Sequence, residues 1–246
     1  MRFNLQFFGG RGASSSSASS TAPVTPSGGG GNWANMPFNW MDDTDAAQLR
    51  DDMDGNYEPD VVNAIKMYIS DADVNGDGFS FSQNMNYKLE NGKPLDVNEK
   101  YIDDFIQLGM HDIGQNANLF RACHDDVLKD LGISDYTKMT ESQLQSALVG
   151  TVFKSKSYMS TSYDKKKSPF YHGNSSSGVS GGREVYMNIK AKGDTKIVFG
   201  AKSQAEFIIN KGTNFRITGI RYDGTYASPR GSQRSKPRVI LDIETD

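Results

Sequence analysis

The chain has 246 residues, with 27 Lys+Arg against 30 Asp+Glu, a formal net charge of −3, three His and one Cys. That length accommodates one large domain or two small ones; the charge gives no argument for a nucleic-acid partner, and one Cys excludes an internal disulfide and any multi-cysteine zinc site. Gly is above its usual share of about 7%, and the excess gathers near the N-terminus.

The chain opens Met1-Arg2-Phe3-Asn4-Leu5-Gln6-Phe7-Phe8-Gly9. Asn4 and Gln6 interrupt the apolar run of about 7–15 residues that a secretion signal needs. No window approaches the roughly 20 apolar residues of a membrane span. Residues 9–31 then hold seven Gly and seven Ser, with Val24 the one large apolar residue. Such a stretch cannot bury enough surface to offset the entropy of ordering it. Residues 1–35 are therefore expected to be a docking peptide, or simply a free terminus, on a Gly/Ser linker. The opening nine residues resemble the start of many tailed-phage head and minor structural proteins. That resemblance implies a virion or host-cytoplasm location, with capsid or portal components as partners of residues 1–9.

Residues 36–246 suit one folded domain. It begins acidic, with eight acidic residues and one basic over 42–60, and reverses over 211–238, with seven basic and one acidic. The contrast is either two solvated faces or a basic surface for an anionic partner. Helical spacing appears at Val61, Val62, Ile65, Tyr68 and Ile69 and again near Met85–Leu89. A third helix is predicted over 97–110, with Asn98 as a plausible cap. A fourth should cover 124–131 and stop at Gly132. Thr140-Glu141-Ser142-Gln143 before Leu144, Ala147 and Leu148 reads as a capping signal and a short helix.

The period then changes. Thr151–Tyr158, Val185–Ile189, Lys196–Phe199, Glu206–Ile209, Phe215–Ile220 and Arg238–Ile243 read as short strands between Gly, Asp or Asn turns. Helices followed by strands predict an α+β fold: N-terminal helices, then a mixed or antiparallel two-sheet β core.

Three pieces carry chemistry: Leu119-Phe120-Arg121-Ala122, Tyr158-Met159-Ser160-Thr161-Ser162, and Gln204-Ala205-Glu206-Phe207-Ile208-Ile209. Each alone has an ordinary reading: a snorkelling Arg, a hydroxyl cluster at a strand end, a solvated Glu. In this order they resemble the arginine–serine–glutamate ADP-ribosyltransferases, from about Asp60 to Glu244. Tyr68, Met85–Leu89 and Tyr101–Leu108 are similar to the helical segment before that family's Arg.

The resemblance implies an NAD-dependent mono-ADP-ribosyltransferase that cleaves NAD to nicotinamide. ADP-ribose passes to a protein acceptor of host or phage and, slowly, to water. Arg121 would grip the pyrophosphate through paired hydrogen bonds. Glu206 would stabilise the oxocarbenium-like ribose and hold its 2′-hydroxyl. Ser160 would orient Glu206 and contact the nicotinamide ribose, with Thr161 and Ser162 completing the cofactor-binding strand. Gln204 stands where the family's Gln goes with an asparagine acceptor, as in Rho-modifying clostridial exoenzymes, and Glu with arginine; its ordinary reading is a solvent-facing turn residue. Phe170, beyond Lys165-Lys166-Lys167, either stacks on nicotinamide or belongs to a plain loop. No metal is required. Two alternatives are a virion protein with a degenerate version of the fold and a secreted ADP-ribosylating toxin.

Other features lead less far. Asp73-Val74-Asn75-Gly76-Asp77-Gly78 matches the front of a calcium loop, but position twelve is Asn84, not Glu. Cys123 and His124 are neighbours on a strand and point to opposite faces. His111, His124 and His172 show no metal spacing.

Overall fold

The computed structural model describes residues 55, 57–70, 79–123, 125–165, 167, 185–226 and 236–246. The peptide and linker of 1–35, the calcium-like turn at 73–78, His124, Lys166, Phe170 and His172 lie outside these residues.

Among the described residues three helices come first. α1 (Pro59–Tyr68) starts on Pro59 with Asp60 in its first turn and buries Val61, Ala64, Ile65 and Tyr68. Proline costs nothing at this position because its missing N–H would have no helical partner. α2 (Phe81–Glu90) starts in a Ser80/Gln83 capping box and buries Phe81, Met85, Asn86 and Glu90. α3 (Val97–Gly109) is capped by Asp96, not by the predicted Asn98. The Asp96 carboxylate accepts from Glu99 N at 2.9 Å while Glu99 Oε2 accepts from Asp96 N at 2.8 Å. That reciprocal pair satisfies two of the helix's open donors and leaves Asn98 inside the first turn. Lys88 of α2 closes on the same Glu99 at 2.6 Å, tying the two helices together.

Two shorter helices follow: α4 (Asp126–Asp130) and α5 (Glu141–Leu148). Gly132, at φ +91°, stops the first of them as expected. The Thr140/Gln143 capping box that opens α5 also agrees with the sequence.

Nine strands make the core: β1 (His111–Asp112), β2 (Ala117–Cys123), β3 (Val152–Lys154), β4 (Met159–Ser162), β5 (Val185–Ala191), β6 (Lys196–Phe199), β7 (Glu206–Ile209), β8 (Asn214–Tyr226) and β9 (Lys236–Thr245). Their spatial order is β1-β6-β7-β4-β2-β5-β9-β8-β3. Every neighbouring pair is antiparallel except β5 with β9. The fold is α+β with mixed, mostly antiparallel strands, as predicted. Hydrogen bonds link all nine strands, yet two halves remain visible: β2 and β4 meet at the single residue pair Phe120–Ser162.

The predicted strand Thr151–Tyr158 splits in two. Its first part, β3, pairs with β8, whereas β4 pairs with β7 in the other half of the sheet. Between them Ser155 Oγ donates to the Ser157 carbonyl at 2.5 Å. A hydroxyl that bonds nearby backbone in this way competes with the ladder and breaks it.

Two apolar clusters flank the sheet. The helices α1–α3 pack Val61, Ile65, Met85, Ile102 and Ile106 against Tyr158, Val198 and Ile208. The larger cluster holds Leu128 of α4, Leu144 and Leu148 of α5, and the inward faces of most strands, including Leu119, Phe207, Phe215 and Leu241. Each such side chain contributes about 1.5–3 kcal/mol when fully buried. The basic stretch is not a bare positive surface over its described residues. Lys211 pairs with Asp103, Arg216 with Asp246, Arg221 with Asp242 and Arg238 with Asp223.

Gly109 closes α3 where it approaches α1 most tightly. A Cβ there would stand 2.5 Å from Val61 Cγ1. Valine is stiff about its first torsion and cannot swing away cheaply. Gly109→Ala should therefore destabilise the fold by about 1–3 kcal/mol, read as a lowered urea midpoint at unchanged slope.

Candidate active site

The site is built where the two halves of the sheet meet. Antiparallel register places Ser162 of β4 opposite Glu206 at the start of β7 and opposite Phe120 of β2. Arg121 is the next residue along β2. Three adjacent strands therefore bring together Arg, hydroxyl and carboxylate groups that lie far apart in the sequence.

Arg121 does not snorkel to water: it is fully buried. Its Nη1 donates to the Ser160 carbonyl oxygen at 2.6 Å, a bond that crosses the joint between β2 and β4. Burial pulls the guanidinium below its ordinary pKa, and the neighbourhood of Cys123, Tyr68, Glu90 and Glu206 works in the opposite direction. A buried cation persists only where negative charge and acceptors surround it.

Ser160, Thr161 and Ser162 are all at most 2% exposed. Thr161 Oγ1 donates to the Phe207 carbonyl at 2.7 Å. Ser162 Oγ donates to the Gln204 carbonyl at 2.9 Å and accepts from Asp164 N at 3.1 Å. These hydroxyls fasten β4 to the turn that carries Gln204 and Glu206.

That turn is tightly determined. A short 3-10 turn, Lys202–Gln204, leads to Ala205, which sits at φ 50° in the left-handed region. The conformation is costly for a residue with a Cβ, by about 1 kcal/mol or more, and persists where surrounding bonds over-determine it. Here Gly200 N donates to the Glu206 carbonyl at 3.0 Å, and Glu206 N donates to the Ala201 carbonyl at 3.2 Å. The Glu206 carboxylate accepts from Ala201 N at 2.8 Å. Gly200 is required for this arrangement, since a Cβ on it would lie 2.2 Å from Glu206 Oε2. Glu206 ends up 3% exposed, fixed in position before any ligand arrives. Gln204 is half-buried beside it. Lys165, first of the three lysines, places Nζ 5.9 Å from the centre of the Phe120 ring.

The helical layer adds groups that the three motifs do not contain. Tyr68 of α1 is 1% exposed, and its hydroxyl accepts from Asn86 Nδ2 at 2.6 Å. Burial raises the Tyr68 pKa, with the Glu206 carboxylate adding to the effect and Arg121 opposing it. Glu90, one turn beyond Asn86, accepts from Ser157 Oγ at 2.7 Å and is 5% exposed. Its carboxyl is pushed up to about 7, chiefly by burial, with Arg121 acting in the opposite sense. Asn86 and Glu90 were legible as polar residues four apart on the apolar face of α2, next to Met85. Gly200 carried no motif and is visible only through its contact with Glu206.

Cys123 is buried with Sγ against the Val185 carbonyl at 3.7 Å. Among the described residues no group of three His, Cys, Asp or Glu side chains could hold a metal ion, and no helix is long and apolar enough to cross a membrane.

Residues 56–244 match the sequence model of the ADP-ribosyltransferase exoenzyme family. None of the curated protein sequences matches the chain. Among solved structures, an ADP-ribosyltransferase from Clostridium botulinum is 18% identical with a TM-score of 0.52, over 82% of this chain and 94% of that one. An ADP-ribosyltransferase toxin from Paenibacillus larvae is 12% identical with a TM-score of 0.59, over 84% and 98%. The ADP-ribosylating toxin of a Clostridium perfringens binary enterotoxin, solved with NADH, is 14% identical with a TM-score of 0.58, over 82% and 48%. The chain spans about half the length of the enzymatic component of the C2 toxin from C. botulinum, at 47% of it. At these identities the structures share a fold, and the match over 56–244 shows the lineage: the chain belongs to the ADP-ribosyltransferase exoenzyme family.

Proposed function

We propose that the protein is an NAD-dependent mono-ADP-ribosyltransferase. One observation carries the reading: a buried Arg, a Ser-Thr-Ser strand and a fixed carboxylate meet across three adjacent strands of a fold from this family. NAD presents a dianionic pyrophosphate and a cationic nicotinamide leaving group, and the site offers a charge suited to each. Arg121 supplies permanent positive charge for the phosphates. Glu206 supplies the negative charge that the ribose needs as its bond to nicotinamide stretches and C1′ turns cationic. Because the Ala201 amide already holds that carboxylate, in space that Gly200 leaves open, little reorganisation is needed during the reaction. Ser160 contacts the nicotinamide ribose and helps aim Glu206, while Thr161 and Ser162 hold the strand. Phe170 stacks on the nicotinamide.

The electron pair of the N-glycosidic bond leaves with nicotinamide. A nucleophile of the acceptor attacks C1′ and loses its proton. Gln204, two residues before Glu206, favours the side-chain amide of an asparagine on a protein acceptor. With no acceptor present, water takes its place as a slow glycohydrolase reaction. The phage-like sequence of residues 1–9 supports a location on a virion or in the host cytoplasm.

Incubation with nicotinamide-labelled NAD tests the reading. Nicotinamide should be released, and Glu206→Gln should lower the rate by about 10²–10³-fold in protein that is still folded at the assay temperature. Absence of release from the wild type, or an undiminished rate in the variant, would overturn it. Gly200→Ala should also lower the rate, because its methyl group displaces the Glu206 carboxylate; amide hydrogen exchange at Ala201 should rise with it. Mass spectrometry of host lysate treated with enzyme and NAD should find ADP-ribose on asparagine, not arginine.

A further inference from the structure

We propose that residues 1–9 dock on an exposed apolar stripe of α3 in the same chain, so that the segment is held on the folded domain and must be released before it can join another partner.

α3 presents an apolar face to solvent as well as to the core. Val97 and Leu108 are the most exposed large apolar residues among those described, at 85% and 68%, and Tyr101 is 46% exposed. With Phe105 they fall at helical positions i, i+4, i+8 and i+11, which sets them along one side of the helix. Phe105 is half-buried against the helical core, and its ring centre lies 4.5 Å from that of Tyr101, so the stripe is continuous there. From Val97 to Leu108 it runs about 16 Å. Single exposed apolar side chains are ordinary, whereas a contiguous stripe marks an interaction surface.

The chain itself supplies a fitting occupant. Phe3, Leu5 and Phe7 alternate with Asn4 and Gln6 in the opening segment. Alternate residues of an extended segment share one side, and from Phe3 to Phe7 they span about 13 Å, a length the stripe accommodates. Arg2 is the one charged side chain of residues 1–9. Asp104, exposed on α3 three residues after Tyr101 and four before Leu108, offers it an opposite charge beside the stripe.

The route between the two is short. Tyr57 stands at the C-terminal end of α3: its ring comes 3.7 Å from where a Cβ on Gly109 would lie, and its hydroxyl is 3.0 Å from His111 Nε2. The N-terminal part of the chain therefore joins the fold beside Leu108. The 45 residues between Gly9 and Gly55 would span about 35–40 Å as a coil, more than the length of the stripe. A tether of that reach supplies residues 1–9 at an effective concentration of about 1 mM, which fills a site with an intrinsic Kd of about 0.1 mM.

A fluorescein-labelled synthetic peptide of residues 1–9, titrated into the full-length chain and followed by anisotropy, tests the docking. Phe3→Asp/Phe7→Asp vacates the stripe, and this variant should bind the peptide about tenfold more tightly than wild type, whose own segment competes. Adding Leu108→Asp or Val97→Asp to that variant should abolish binding; both positions are exposed, and an unchanged melting temperature checks that the fold is kept. Adding Val152→Asp, at an exposed apolar position on β3, should leave binding as it was. Equal affinity for wild type and the vacated variant overturns the proposal, as does an absence of binding to either. Binding that survives both α3 substitutions, or is lost with Val152→Asp, overturns it too. So does light scattering that finds wild type dimeric and Phe3→Asp/Phe7→Asp monomeric, since the occupant is then a second copy.

Discussion

The buried guanidinium of Arg121 is the constraint around which the rest is arranged. A cation without water is stable only if acceptors and negative charge are built around it. In this chain the Ser160 carbonyl on β4 accepts from the guanidinium, and the carboxyls of Glu90 on α2 and Glu206 on β7 oppose the loss of its charge that burial favours. The two halves of the sheet share only the pair Phe120–Ser162 at their joint. Side-chain bonds supplement the ladder there: Arg121 to Ser160, Thr161 to Phe207 and Ser162 to Gln204. The motif residues thus hold together the place in the sheet that displays them.

The helical layer supports the same strand from behind. Tyr158, immediately before β4, packs edge-on against Tyr68 and donates its hydroxyl to Asp103 of α3 at 2.6 Å. Gln107 donates to that hydroxyl at 2.7 Å and also reaches Asn210, just after β7. Lys211 closes the group on Asp103. A partly buried polar network of this kind stabilises when every member is satisfied and is costly when one is removed. It fixes where β4 and β7 end relative to α3, and hence where Ser160 and Glu206 stand.

Much of this was legible in the chain. The capping box at Thr140, the stop at Gly132 and the change of period after residue 150 follow from local chemistry, and the structure agrees. Arg121, Ser160–Ser162 and Glu206 could be picked out because they recur in an order that a known family shares. Other features were hidden because their causes are not local. Asn98 looked like a cap because Asn is a good one; Asp96 took the role because Glu99 could return the bond. The break at Ser155–Ser157 arises because β3 and β4 belong to different halves of the sheet, a fact of topology. Single-residue reading favours a surface Arg at position 121, and only the surrounding carboxylates make burial tolerable. Gly200 matters through a contact that the folded backbone creates, and no periodicity announces it.

The order of strands also bears on how the protein comes into being. β9 follows the other strands in sequence, yet it lies between β5 and β8 in the sheet. Its pairing with β5 joins segments far apart in the chain and is the one parallel ladder among the described strands. A nascent chain emerging from the ribosome can form α1–α3 and the β6–β7 hairpin early, from contacts close in sequence. The larger apolar cluster must wait for Val239, Leu241 and Ile243. Until then β5 and β8 present unpaired edges, the sort of surface on which partly made chains aggregate. Closing so distant a pairing late also slows folding. The last step of sheet assembly thus falls to β9, whose Leu241 and Ile243 complete the larger core.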